Sequence, residues 1–323
     1  MIKNVPPGRE QSPRGCAGRY PPLGHLVLNL QAAQPIAFPP SHRKGLEAAM
    51  RPGGDWIAMS STSAADTFLH GADVYDRHIG RYGRELAQEL IRFADVHAGQ
   101  QILDVGCGPG ALTRQLVMAV GADKVSAIDP SPSFVQACED RLPGVRAQVG
   151  AAETLPFANG VFDRTLAQLV VNFMTDAEAG LREMRRVTKS GGIVAAAVWD
   201  YAGQMTLLRQ FWDSVTALDP AAADLDEGHS MRYCTPEELE VLWTGAGLNH
   251  VGISDVVVTA GYEGFEDLWE PLEFGVAPSG AYVASLEPDQ RAKLKADFQH
   301  RLGAGKKPFR LGARAWLATG RVP

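Results

Sequence analysis

The chain has 323 residues, 45% hydrophobic and 21% charged, with a formal net charge of −6, enough for one large α/β domain or two small ones. The mild acidity and the lack of Lys/Arg-rich runs leave no electrostatic footprint for nucleic acid or an anionic membrane, so a small molecule is the expected partner. No stretch approaches the roughly 20 apolar residues needed to span a bilayer. The four cysteines, Cys16, Cys107, Cys138 and Cys234, are too scattered for a zinc site and read as reduced thiols of a soluble, cytoplasmic protein without a metal.

Residues 1–58 hold nine of the 21 prolines and seven basic against three acidic residues. Proline-dense sequence without periodicity buries too little apolar area to offset its ordering entropy, so 1–58 is expected to be a disordered extension before a single domain over 60–323. From Ser63 onward, segments of helical period alternate with short β-branched or alanine-rich runs, the pattern of βαβ units around a parallel sheet. Helix 84–95 leads into strand 101–105, a glycine turn, helix 111–120 and strand 124–129. Ser131-Pro132 then caps helix 133–141, with proline at the first helical position.

Strand 164–169 follows, and Thr175-Asp-Ala-Glu178 reads as a capping box for a helix running to about Val187 and closed by Gly191-Gly192. Strand 193–199 has the composition of a strand buried on both faces. A second box, Thr235-Pro-Glu-Glu238, opens helix 236–246 before strand 250–259, and a last strand near 310–319 belongs close to the sheet edge. Segments 204–233 and 261–307 do not fit the repeating unit. They carry Phe211, Trp212, Tyr262, Phe265, Trp269, Phe274 and Tyr282, and are expected to fold over the sheet as a substrate-selecting lid.

Ile102-Leu-Asp-Val-Gly-Cys-Gly-Pro-Gly-Ala111 is a buried strand running into three glycines and a helix, where the backbone can approach a ligand closely. Read loosely, Gly106-x-Gly108-x-x-Ala111 also satisfies a dinucleotide fingerprint. Charge separates the two readings. Asp104 stands at the carboxyl end of the strand, where it would repel a pyrophosphate and favour the sulfonium and ammonium of S-adenosylmethionine, unless it merely caps the turn. Asp129 ends the next strand, where an acid can accept both ribose hydroxyls of either nucleoside cofactor.

Together with Ile128-Asp-Pro-Ser131, Gly150-Ala-Ala-Glu-Thr-Leu-Pro-Phe157, and Phe162-Asp163 followed by Gln168, this turn resembles the class I methyltransferases of the type 11 group, similar to ubiquinone/menaquinone-biosynthesis methyltransferases. The likeness is strong over about 72–200. It implies a doubly wound, mostly parallel seven-stranded sheet whose last strand is antiparallel, with S-adenosyl-L-methionine as cofactor. Asp104 and the turn Gly106, Cys107, Gly108 and Gly110 would hold the methionyl part, Asp129 the ribose, Pro130 the face of the adenine and the backbone at Ala152 its edge. Ala151 stands where the commonest pattern has Asp, leaving Glu153 to compensate or to be a solvated charge. Gln168 resembles a position lining the methionyl pocket. In Ala72-Asp-Val-Tyr-Asp-Arg-His-Ile-Gly-Arg-Tyr82, which resembles the segment closing over that pocket, Tyr75 or Arg81 would bind the cofactor carboxylate.

Methyl transfer from a sulfonium is an in-line displacement that asks mainly for positioning. No catalytic base stands out, although His78, Tyr201, His229 and His250 are titratable. A small, partly apolar acceptor methylated at oxygen or carbon is the expectation. A non-catalytic cofactor-binding protein keeps the same motifs, and a nicotinamide-dependent reductase would add a Tyr-x-x-x-Lys constellation that is missing after the fourth strand.

Overall fold

The computed structural model describes residues 72–323; the extension expected over 1–58 lies outside the described residues. The strands are β1 (Ile102–Val105), β2 (Val125–Asp129), β3 (Arg146–Val149), β4 (Phe162–Gln168), β5 (Thr188–Trp199), β6 (Asn249–Tyr262) and β7 (Phe309–Arg321). They form one seven-stranded sheet in the order β3-β2-β1-β4-β5-β7-β6. Strands β1 to β5 pair in parallel, and β7 runs antiparallel between β5 and β6. Strand order reverses between β1 and β4, and the crevice at the carboxyl ends there is where doubly wound folds bind ligands.

Strand β1 is buried throughout, as is β5 from Gly192 to Trp199, which is why both read as unbroken apolar runs rather than alternations. The layers over the sheet are α1 (Ala72–Arg77), α2 (Gly83–Phe93), α3 (Ala111–Val120), α4 (Pro132–Arg141), α5 (Ala177–Val187) and α8 (Pro236–Gly245). Local chemistry sets their starts. Ser131 Oγ accepts from Phe134 N with Pro132 opening α4, and Thr235 Oγ1 accepts from Glu238 N at the start of α8. At α5 the cap is Asp176, which accepts from Ala179 N, and not the Thr175 the sequence suggested. Helix α5 then runs straight into β5, so Gly191-Gly192 lies within the strand instead of closing the helix. Strand β3 has no counterpart among the sequence-predicted elements.

The remaining helices, α6 (Thr206–Leu218), α7 (Glu227–Ser230), α9 (Phe265–Glu273), α10 (Ala277–Ser285) and α11 (Pro288–Leu302), join both irregular segments into one cap. Aromatic rings bind it together. Phe211 stands 5.2 Å from Trp212 and 5.7 Å from Phe298, Trp212 is 5.8 Å from Tyr282, and Phe265 is 5.8 Å from Phe298, spacings typical of favourable edge-to-face and tilted pairs. Phe274 stays exposed, and Tyr262 instead stacks on Phe309 at 5.3 Å at the end of β6. Among the described residues no helix is long and apolar enough to cross a membrane, and Cys107, Cys138 and Cys234 are buried free thiols.

Candidate active site

The glycine turn joins β1 to α3 at the switch point. Gly106 N and Cys107 N both donate to Ile128 O, at 2.7 and 3.0 Å, Gly108 N donates to Asp129 Oδ2 at 2.9 Å, and Gly110 N returns to Cys107 O at 3.0 Å. Pro109 has no N–H. The turn therefore spends its donors inside the protein, whereas a pyrophosphate cradle needs N–H groups aimed at the ligand. Gly106 has φ +71°, and a Cβ there would lie 2.4 Å from Val170 Cγ2; Gly108, at φ +51°, has open space where a Cβ would go. The first glycine is demanded by packing and the second leaves the approach to the turn free.

Asp104 is fully buried beneath the turn. Its Oδ2 accepts from Thr113 Oγ1 at 2.6 Å on the first turn of α3, while Oδ1 is buried without a hydrogen-bond partner. Burial pushes its carboxyl up to about 7, against the pull of the Thr113 bond. An orphaned carboxylate oxygen is costly, and an ammonium or a bound water is what would satisfy it. Gln168, at the carboxyl end of β4, shows the same pattern: Nε2 donates to Gly83 O at 3.1 Å and Oε1 is buried and unpartnered. Asp129 accepts from Gly108 N through one oxygen and from Ser131 N through the other, both at 2.9 Å, leaving a lone pair on each for further donors. Pro130 beside it is exposed and Ala152 is buried. These groups fit the amino-acid and ribose parts of S-adenosylmethionine.

Helix α1 is pinned over the turn through Arg141, which pairs with Asp76 at 2.7 Å and donates to Pro109 O at 3.3 Å. Tyr75 on that helix packs 6.0 Å from Phe134. Burial, with Asp76 and Asp129 nearby, drives its hydroxyl far above the ordinary phenol range. Two sequence-predicted residues go elsewhere. Arg81 grips Asp267 of α9 and donates to Gly261 O, so its guanidinium belongs to the junction with the cap rather than to a cofactor carboxylate. Glu153 accepts from Asp176 N at 3.2 Å, so it fixes the start of α5.

Beside Tyr75 a narrow cavity opens at the carboxyl ends of β4 and β5. Tyr75, Ile79, Leu169, Phe173, Trp199 and Tyr201 line it from the sheet side, and Leu208, Glu227 and Ala277 from the cap. Its free volume is about 20 Å³, room for about one water. Leu169 holds φ +61°, a left-handed conformation that costs a non-glycine residue about 1–2 kcal/mol.

Of His78, Tyr201, His229 and His250, only Tyr201 lines this cavity. His78 is buried against Ser279 Oγ at 3.5 Å and burial lowers it to about 4, so it is neutral; His229 and His250 are exposed. The group sequence reasoning missed is Glu227, buried in the cap with Oε2 accepting from Trp212 Nε1 at 2.9 Å and its carboxyl raised by burial to about 7. It sits in a short helix with no motif around it. Among the described residues no cluster of side chains could hold a metal ion.

The comparisons with known proteins agree with this geometry. Residues 103–196 match the family described as a methyltransferase domain. The chain is 28% identical over 210 residues to a malonyl-[acyl-carrier protein] O-methyltransferase of Erwinia pyrifoliae, covering 60% of this chain and 79% of that protein. It is 27% identical to the protein of that name from Serratia marcescens, covering 70% and 87%. A 2-methyl-6-phytyl-1,4-hydroquinone methyltransferase of Oryza sativa is 32% identical over 37% of this chain and 38% of its own. Among solved structures, a Haemonchus contortus phosphoethanolamine N-methyltransferase in complex with phosphomonomethylethanolamine and S-adenosylhomocysteine shares the fold, with TM-score 0.52 at 17% identity over 82% of this chain and 62% of that one. Residues 103–196 thus form a methyltransferase domain of the type 11 group, and the enzyme class shared by these relatives is S-adenosylmethionine-dependent methyl transfer.

Proposed function

We propose that this enzyme methylates oxygen or carbon of a small, partly apolar acceptor held in the cavity between the sheet and the helical cap, in the cytoplasm. The observation that carries this reading is Tyr75, which lines the cavity and lies close enough to Asp129 to feel its charge, so the acceptor and cofactor sites adjoin. The names of two relatives, both O-methyltransferases, support oxygen as the atom methylated.

When bound, the cofactor supplies an electrophilic methyl group on a sulfonium. The protein's part is to hold two reactants in line and exclude water. Asp104, Gln168 and the turn Gly106–Gly110 receive the methionyl end, Asp129 accepts the ribose hydroxyls, and Pro130 and Ala152 border the adenine, with Tyr75 closing over the methionyl side. Cap closure onto an acceptor turns a bimolecular encounter into an oriented one, a gain that reaches roughly 7–11 kcal/mol in well-aligned systems. The lining of Ile79, Leu169, Phe173, Trp199 and Leu208 selects an apolar body.

Calorimetric titration with S-adenosylhomocysteine beside NADH, repeated on Asp129→Ala, tests the cofactor half. Micromolar binding of S-adenosylhomocysteine alone, weakened at least tenfold in the variant, is expected. Binding unaffected by the substitution would remove Asp129 from the site, and NADH binding would overturn the cofactor assignment.

A further inference from the structure

Two polar groups in the cavity have one hydrogen-bonding valence left over, and the two are of opposite kind. Glu227 Oε2 is committed to Trp212 Nε1, and its Oε1 has no partner among the described residues. Tyr201 Oη accepts from Asn172 Nδ2 at 3.4 Å, so the hydroxyl proton is what Tyr201 has left to give. Elsewhere the cavity wall is apolar or aromatic, with Tyr75 at the cofactor side. A single ligand group that satisfies both residues must donate to Glu227 and accept from Tyr201. A hydroxyl does both in the form it has at neutral pH; an alkylamine is then mostly an ammonium with no lone pair to accept with, and a carboxylate has no proton to give and would meet a like charge.

We propose that the acceptor is a neutral hydroxyl compound of aromatic or apolar body, and that Glu227 is the catalytic base that takes its proton while Tyr201 orients the oxygen. This rests on the methyl-transfer reading above. In the step, the hydroxyl proton passes to Glu227 Oε1 as an oxygen lone pair forms the new bond to the methyl carbon. The C–S bond breaks with its electron pair going to sulfur, so S-adenosylhomocysteine and the methyl ether leave and the proton returns from Glu227 to solvent when the cap opens. No other reactant is needed.

The groups facing Glu227 suit the task. Asp226, just before it, is held bidentately by Arg209, Tyr201 follows β5, and Cys234 lies before α8; all three sense or supply charge at Glu227. Burial is the dominant effect and places the carboxyl near neutrality, where a general base is most effective.

The test measures S-adenosylhomocysteine production from S-adenosylmethionine with 4-methylphenol, 4-nitrophenol, benzylamine and phenylacetate, in the full-length enzyme and in Glu227→Gln and Tyr201→Phe. The hydroxyl compounds are expected to be methylated. Glu227→Gln should lose roughly 10²–10⁴-fold in kcat with 4-methylphenol and far less with 4-nitrophenol at mildly alkaline pH, where the ionised phenol needs no base and the substitution removes the like charge it meets in the wild type. Tyr201→Phe should raise KM more than it lowers kcat. The wild-type rate with 4-methylphenol should rise with pH to a plateau above about 7, and that limb should vanish in Glu227→Gln. Turnover confined to the amine or the carboxylate, no turnover of any hydroxyl compound, or equal loss with both phenols would overturn the proposal. Calorimetry with S-adenosylhomocysteine on each variant separates the levels of failure: unchanged cofactor binding with a failed phenol arm sinks only this inference, whereas no cofactor binding by the wild type sinks the methyltransferase site itself.

Discussion

Arg81 holds both carboxylate oxygens of Asp267, at 2.9 and 2.5 Å, across 186 residues of sequence. The guanidinium also lies 4.8 Å from the ring centre of Tyr262, whose hydroxyl meets that of Tyr82 at 3.2 Å. The helical cap is thus bolted to the segment preceding α2, the same segment that carries Tyr75 over the cofactor turn. The proposed cofactor site and the cap share one anchor.

Replacing Arg81 with Ala leaves Asp267 half-buried without its partner, at a cost of about 1–3 kcal/mol. Asp267 is partly desolvated, which alone would raise its carboxyl, but the Arg81 bonds win and hold it below the ordinary range. That contribution is present above the unfolded carboxylate pKa and lost as pH falls through the lowered folded one. Arg81→Ala should therefore lower the melting temperature at neutral pH and lose less at acid pH, with faster hydrogen exchange over residues 261–285. If the guanidinium bound the cofactor instead, S-adenosylhomocysteine affinity would collapse with little change in cap exchange.

The two glycines of the turn predict opposite outcomes. Gly106→Ala sets a Cβ 2.4 Å from Val170 Cγ2 at φ +71°, adding overpacking of about 1–3 kcal/mol to left-handed strain of about 1–2 kcal/mol. Gly108→Ala carries only the strain, because nothing stands within 4 Å. Thermal melts should show a clearly larger loss for Gly106→Ala. Gly108→Ala should fold and lose mainly cofactor affinity by calorimetry, since the space its methyl fills is the approach to the turn.

At the proposed site, Asp104 should make cofactor binding depend on pH. Burial raises its folded pKa to about 7 from an ordinary 3.8, so the folded state holds the proton more tightly than the unfolded one. The ligand-free protein's stability from this group is full below the unfolded value and declines as pH rises towards 7. A cofactor ammonium prefers the ionised form. Affinity for S-adenosylhomocysteine should therefore increase with pH through about 7, and Asp104→Asn should flatten the rise and bind at least about tenfold more weakly, about 1.4 kcal/mol. An unchanged profile in the variant would make Asp104 a cap for α3 alone.

What could be read from sequence was what is encoded locally. The glycine turn, the bounds Ala111–Val120 of α3 and the caps Ser131 and Thr235 each depend on a few adjacent residues, and each is found in the structure. The buried run of β5 was legible because both faces are covered. Strand β3 was not: it pairs only with β2 at the sheet edge and none of its residues is buried, so hydrophobicity gives no period. Arg81 and Glu227 escaped for a different reason. Their roles are set by partners on distant elements, Asp267 for one and Trp212 with the cavity for the other, and neither pairing leaves a spacing in the chain.

Trp212 offers a way to move the proposed base without touching it. The indole N–H donates to Glu227 Oε2 at 2.9 Å, opposing the burial that raises the carboxyl to about 7, while Asp226 pushes it further up. A hydrogen bond to a charged group contributes about 1.5–3 kcal/mol, and about 1.4 kcal/mol corresponds to one pKa unit. Trp212→Phe removes the donor and keeps an aromatic ring among Phe211 and Tyr282, so the rise of the methylation rate should shift about one unit or more towards alkaline pH, with a plateau close to that of the wild type. The folded protein should also remain more stable below that shifted value than above it, because the proton on Glu227 is then held more tightly than in the unfolded chain. A lowered plateau with an unmoved midpoint would mean that Trp212 acts through packing alone and that some other group sets the pH dependence.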